Sequence, residues 1–432
     1  MTLRGVVRPP GDKSISHRAL LLGALARGPS EITGILAGED VKSTARVLRQ
    51  LGADISPVRE GSRVTVRPPS RLTRPASQLY CGNSGTTTRL LMGILAGQRF
   101  AARLTGDASL RRRPMRRVTE PLRAMGAHIE EEAGDALPLV IRGGKLHAFD
   151  YTSPVASAQV KSALLLAAFT GNVRLRLTEP HRSRDHTERL FVHLGLNLRE
   201  RNGVIVFEPP DRPTACPPFS LAVPGDASSA AFLVAAALLA QAGELLIENV
   251  GVNPTRTGFL VVLERMGARV ERLNLRDAGG EPVADLLVRP AARLSATEVT
   301  AAEIPALVDE VPILAVLASR AGGGGETVFH DVGELRVKES DRLELVAANL
   351  RAVGVEAEAR GNDLHVRGTE RAPRGRVETA RDHRLAMAFA VLGTLPAADV
   401  RLSERKSVAI SYPGFFKDLK TMNDGRRGTR GG

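Results

Sequence analysis

Five times along the chain an apolar stretch of helical spacing runs into a glycine and then into residues that alternate between apolar and polar. The copies are Val47–Ile55, Leu122–Ile129, Phe191–Leu198, Val262–Val270 and Asn349–Ala357, turning on Gly52, Gly126, Gly195, Gly267 and Gly354. Each glycine reads as the residue just past a helix end, where a left-handed backbone stops the helix before a strand. The glycines are 74, 69, 72 and 87 residues apart. That is too long for a solenoid and fits one mixed α/β unit of several strands and helices. A truncated sixth copy is expected at Phe415–Lys420. Period-2 runs such as Arg63–Arg67, Val204–Phe207 and Leu364–Arg367 predict half-buried strands. Six units in a chain of 432 residues point to two α/β domains of three units each. Prolines at 209, 210, 213, 217 and 218, followed by Pro224-Gly225-Asp226, mark the junction near residue 224.

Composition narrows the function. The longest apolar stretch, Ala230–Ala240, is a core helix, well short of the roughly 20 residues that span a bilayer. Met1–Gly5 carries no export signal, so a cytoplasmic protein is expected. Cys81 and Cys216 are too few for a disulfide framework or a thiolate metal site and read as free thiols. No metal-ligand spacing of histidines appears around His17, His147 or His383. A net charge of +13 would suit nucleic acid, yet there is no Trp and only three Tyr to stack on bases. The cations are mostly Arg, with eight Lys, and Arg grips carboxylates and phosphates bidentately. A small, highly anionic substrate is the better match.

Three segments of the first half are candidates to hold it. Pro10-Gly11-Asp12-Lys13-Ser14 opens an apolar helix, clustering Lys13, Ser14 and Arg18 where free amides and the helix dipole favour anions. It lacks the G-x4-G-K spacing of a nucleotide P-loop. Gly82–Arg89 is a second glycine turn rich in hydroxyls, and Gly106–Met115 brings three adjacent arginines to a loop. Gly322–Gly325 is only a connection between a helix and a strand. In the second half, Arg336–Arg342 and Arg381–Met387 embed carboxylates among cations, as proton transfer beside anions requires.

These segments, with Arg113-Pro114-Met115, Ala156–Lys161 and Pro224–Ser229, stand in the order in which they occur in the EPSP synthases (3-phosphoshikimate 1-carboxyvinyltransferases), which the chain resembles from residue 10 to about 415. Asp12, Arg184–Glu188 and Asn253–Gly258 resemble the bacterial class II branch. The related UDP-N-acetylglucosamine enolpyruvyl transferases usually carry a Cys in the loop before their Arg-Pro pair, and Gly106–Pro114 has none.

The resemblance implies the two-domain enolpyruvyl transferase fold, an inside-out α/β barrel in which each domain has three βαβαββ units. Residues 12–224 would form one domain and 1–11 with 225–420 the other, with 421–432 a disordered tail. It implies transfer of the enolpyruvyl group of phosphoenolpyruvate to the 5-hydroxyl of shikimate 3-phosphate by a monomer, without cofactor, metal, membrane or nucleic acid. Because no phosphoryl group passes to the acceptor, the magnesium clamp of kinases is not needed. Shikimate 3-phosphate is expected at Lys13, Ser14, Arg18, Ser157, Ala158, Gln159, Arg184, Asp309 and Lys338. Of these, Ser14, Ser157 and Arg184 would take the phosphate, Arg18 the carboxylate and Asp309 the ring hydroxyls. Phosphoenolpyruvate is expected at Lys13, Gly85, Arg113, Gln159, Glu339, Arg342 and Arg384. Glu339 or Lys13 would protonate C3, and Asp309 or Lys338 would take the hydroxyl proton. Arg89 reads as structural. Ile410 stands where some branches have a Lys, so Arg342 and Arg384 must supply that charge. Because Gly85 lacks a β-carbon, glyphosate, longer than phosphoenolpyruvate, is expected to inhibit competitively with it.

Overall fold

The computed structural model describes residues 2–132, 134–209 and 216–423. The chain divides into two compact units: 11–223 with 278–281, and 1–10 with 224–277 and 282–432.

All five repeat glycines have positive φ, from 74° at Gly195 to 107° at Gly126. At each, the glycine amide and the next amide bond back into the last helical turn. Gly52 N donates to Arg49 O at 3.0 Å and Ala53 N to Leu48 O at 3.0 Å, and the same pair of bonds recurs after the helices ending at Ala124, His193, Arg265 and Ala352. This is the Schellman closure, open to glycine because it has no β-carbon to clash in the left-handed region.

In the unit 11–223, three four-stranded sheets repeat one pattern: a parallel pair, then two antiparallel neighbours. One sheet orders Leu79–Tyr80, Ala101–Thr105, Leu139–Arg142 and His128–Glu131; another orders Phe149–Thr152, Leu175–Thr178, Val204–Phe207 and Leu198–Arg201. The remaining sheet takes its parallel edge from the far end of the unit: Ser220–Ala222 pairs with Ser30–Thr33. Strands bury alternate residues, as in Leu139 and Ile141 against exposed Arg142. The helices Lys13–Gly23, Gly85–Ala96 and Ala158–Gly171 are buried on nearly every face, so in this unit helices form the centre and sheets the outside. Gly93 permits the tightest crossing: a β-carbon there would lie 2.1 Å from the Ala163 carbonyl oxygen.

The other unit repeats the scheme. Thr2–Val7 supplies the parallel edge for Ala242–Gly251, beside Glu281–Val288 and Val270–Ala278. The helix Ala227–Leu238 is buried at all of its residues. A second sheet orders Glu298–Val299, Glu326–Phe329, Asp363–Arg367 and Ala357–Arg360. The sixth repeat starts earlier than the sequence pattern indicates. It is the parallel pair Arg374–Val377 and Asp399–Leu402 around helix His383–Leu392, without the antiparallel hairpin. Phe415–Asn423 is instead a helix packed on Thr2–Val7. Residues 421–423, expected in a disordered tail, belong to it; 424–432 lie outside the described residues.

Candidate active site

In the unit 11–223, the first turns of the three buried helices lie together. Their caps are Asp12, Ser84 and Ser157, each accepting from the amide three residues on: Ile15 N at 2.9 Å, Thr87 N at 3.1 Å and Val160 N at 3.5 Å. Amides of the first turn remain unbonded within the helix, and the dipole adds a partial positive charge. Arg89 joins two of these starts, donating to Gln159 Oε1 at 2.6 Å and to the Pro114 carbonyl at 3.0 Å, while Gln159 Nε2 donates to Thr86 Oγ1 at 3.0 Å. A second chain runs from His17 Nδ1 to Thr44 Oγ1 (2.6 Å), to Thr87 Oγ1 (2.7 Å), to the capping Ser84 Oγ (2.7 Å). Burial holds the His17 imidazole neutral, its pKa pushed down to about 3.

The predicted residues of this half fall around these starts. Lys13, the first helical residue, is ion-paired with Asp40. Arg18 is buried, donating through Nε to Thr187 Oγ1 at 2.6 Å, Nη2 to Ser162 Oγ at 2.6 Å and Nη1 to the Ser14 carbonyl at 3.0 Å. Burial pulls its pKa down to about 10, opposed by Glu188, Asp12 and Glu281, so it stays charged at neutral pH. Half-buried Arg184 also acts on it electrostatically. Arg113 donates to Asn83 Oδ1, which is itself fixed by Asp107 through Nδ2 at 2.7 Å. A β-carbon on Gly85 would meet Arg89 Nη1 at 3.1 Å and Arg113 Nη1 at 3.4 Å, which places Gly85 between two guanidiniums.

The other unit gathers three capped helix starts as well, at Asp226, Asp341 and Asp382. Arg342, the residue after the Asp341 cap and 1% exposed, donates through Nε to Asp382 Oδ2 at 2.7 Å, through Nη1 to Asp309 Oδ1 at 3.2 Å and through Nη2 to Glu339. Burial would lower its pKa, but Asp382, Glu339 and Asp309 outweigh burial and raise it. Asp382 is correspondingly held below the usual carboxylate range, its desolvation overcome chiefly by Arg342. Arg384 donates to the Asp309 carbonyl at 3.1 Å and lies 3.7 Å from its carboxylate. Asp309, Glu339, Arg342 and Arg384 are therefore one cluster, whereas Lys338 pairs with Glu334 at 2.8 Å.

Several members of these networks were not picked out as site residues in the sequence. Ser162 adjoins and Thr187 lies within a family motif, Asp40 lies outside them, and none of the three carries a local signal of a site role. Glu281 reaches buried His186 Nδ1 at 2.7 Å from the turn 278–281. Among the described residues no three His, Cys, Asp or Glu side chains gather as a metal site, both cysteines are buried free thiols, and no helix is long and apolar enough to cross a membrane.

The family model described as EPSP synthase (3-phosphoshikimate 1-carboxyvinyltransferase) matches residues 1–419. The chain belongs to the EPSP synthase family. The 3-phosphoshikimate 1-carboxyvinyltransferase of Thermus thermophilus is 50% identical over 421 residues, 96% of each chain. That of Herpetosiphon aurantiacus is 46% identical over 423 residues, covering 98% of this chain and 97% of the relative. Among solved structures, the EPSP synthase of Acinetobacter baumannii superposes with a TM-score of 0.85 at 36% identity, covering 98% of this chain and 96% of that one. The enolpyruvyl transferase NikO of Streptomyces tendae shares the fold, with a TM-score of 0.75 at 19% identity.

Proposed function

We propose that this EPSP synthase family member transfers the 1-carboxyvinyl group of phosphoenolpyruvate to the 5-hydroxyl of shikimate 3-phosphate, giving 5-enolpyruvylshikimate 3-phosphate and phosphate, a step of aromatic amino acid biosynthesis. The observation that carries the reading, beyond family membership, is the pairing of cations with capped helix starts in each unit. Two substrates with a phosphate and a carboxylate each need several cationic groups already in place. The hydroxyl gives up its proton and adds to C2 as C3 gains a proton, and the tetrahedral adduct then loses a proton from C3 together with phosphate, which restores the carbon–carbon double bond.

In this reading Ser14, Ser157 and Arg184 bind the phosphate of shikimate 3-phosphate, Arg18 its carboxylate and Asp309 its ring hydroxyls, with Ala158, Gln159 and Lys338 alongside. Gly85, Arg113, Gln159, Arg342 and Arg384 receive phosphoenolpyruvate beside Lys13 and Glu339. Lys13 and Glu339 are the groups offered for protonating C3, Asp309 and Lys338 those for accepting the hydroxyl proton. The protein works as a cytoplasmic monomer.

Phosphate release from the two substrates, with no metal added, tests the reading. Release should require both, and none with shikimate 3-phosphate, or release only with UDP-N-acetylglucosamine as acceptor, would overturn it. Lys13→Ala and Glu339→Ala should each lower kcat roughly 100-fold or more, the usual scale of acid-base catalysis, an effect far larger than their effect on folding. A variant that keeps wild-type turnover removes that residue from the proton-transfer step.

A further inference from the structure

In the unit 11–223, Lys161 is 1% exposed on the helix Ala158–Gly171. Its Nζ lies 2.8 Å from Glu179 Oε2, 2.7 Å from Glu188 Oε1 and 3.3 Å from the Ser183 carbonyl oxygen. Burial would lower the pKa of the amine, but the two carboxylates outweigh it and raise it, so the ammonium stays charged. Burying such ions costs several kcal/mol each, and well-packed apolar residues of similar volume are often as stabilising. Stability alone is therefore a poor account of this triad.

What the triad holds is more telling. Glu179 Oε1 accepts from the Ser157 amide at 3.2 Å and from Ser183 Oγ at 2.7 Å, and Glu179 Oε2 accepts from the Ser183 amide at 3.3 Å. One buried carboxylate thus ties the turn carrying Ser157 to the turn carrying Arg184. Glu188 sits next to Thr187, whose hydroxyl receives Arg18 Nε at 2.6 Å and lies 2.7 Å from Ser162 Oγ.

We propose that Glu179, with Lys161 as its counter-ion, is a positioning residue for the phosphate of shikimate 3-phosphate, fixing the Ser157 and Arg184 turns relative to each other. The inference rests on the assignment of Ser157 and Arg184 as phosphate ligands given above. It touches no reacting atom and acts through preorganisation, which is lost steeply when a binding group shifts by a fraction of an ångström.

Glu179→Ala tests it, because that variant leaves Lys161 paired one to one with Glu188 and strands no charge. Its KM for shikimate 3-phosphate should rise about tenfold, with the KM for phosphoenolpyruvate held within about twofold. Glu179→Gln should fall in between, since an amide oxygen still accepts one N–H bond. An unchanged KM for shikimate 3-phosphate, or an equal rise for both substrates, overturns the proposal. Should Glu179→Ala fail to fold, the same split read on Glu179→Gln decides it. Ser157→Ala and Arg184→Ala run alongside: if neither raises the KM for shikimate 3-phosphate, the phosphate assignment fails on its own account, whatever Glu179 does.

Discussion

Gly85→Ala separates a glycine kept for backbone freedom from one kept for space. Gly85 is the first residue of the helix Gly85–Ala96 and is absent from the positive-φ positions, so an alanine meets no strained backbone. In a helix, alanine gains about 0.5–1 kcal/mol over glycine. The new methyl would sit 3.1 Å from Arg89 Nη1 and 3.4 Å from Arg113 Nη1, and no backbone atom is among its nearest neighbours. The Arg89 guanidinium must give by a few tenths of an ångström, while the Arg113 contact stands at the edge of ordinary van der Waals distance, a cost of the same order as the propensity gain. The fold should therefore be close to unchanged in stability. Phosphoenolpyruvate, in the proposed pocket, would lose about 1 kcal/mol of charge-assisted bonding as the arginines shift, a rise of about fivefold in its KM. A longer inhibitor such as glyphosate would also overlap the methyl, and overpacking typically costs about 1–3 kcal/mol, so its inhibition constant should rise by one to two further powers of ten. Inhibition constants, Michaelis constants and melting temperatures of the two proteins are the measurements. Equal losses for substrate and inhibitor would refute the steric reasoning, and a melting temperature lowered by several degrees would show that Gly85 serves the backbone instead.

His17 gives a pH signature. Its folded pKa of about 3 lies below the unfolded 6.5, so the unfolded chain binds the extra proton and stability falls as pH drops from 6.5 toward 3; melts from pH 7 to 4 should fall less steeply for His17→Gln, and identical slopes would contradict the assignment. Arg342→Met removes the cation shared by Asp382, Asp309 and Glu339 and should cost about 3–5 kcal/mol. Arg342→Lys should recover only part of this in urea unfolding, because one ammonium cannot reproduce the fork; a Met variant as stable as the parent would show that the cluster is energetically idle.

The repeats were legible because a Schellman closure is a local demand: it needs a left-handed residue at one position, and glycine meets it at all five. Two helix starts were legible for a similar reason, since the glycine turns at Gly11 and Gly82–Gly85 before apolar runs are short-range signals. Pairing between distant segments was not. Nothing in Ser220–Ala222 announces that it completes a sheet with Ser30–Thr33. The strand Arg374–Val377 has too few apolar residues to show a period of two, which hid the true sixth repeat. Lys161 looks like an interruption of a core helix until Glu179 and Glu188, 18 and 27 residues later, are brought against it.

The two clusters differ in a way that bears on the chemistry. Around the helix starts of 11–223 the predicted ligands Lys13, Arg18, Arg113 and Arg184 are cations, and the dipoles add to them. Around the starts in the other unit, Asp226, Asp309, Glu310, Glu339 and Asp382 face Arg256, Arg342 and Arg384. A bare group of carboxylates would repel substrates that are themselves anions. Tying each acid to a guanidinium removes that repulsion while keeping a carboxylate at hand for proton transfer.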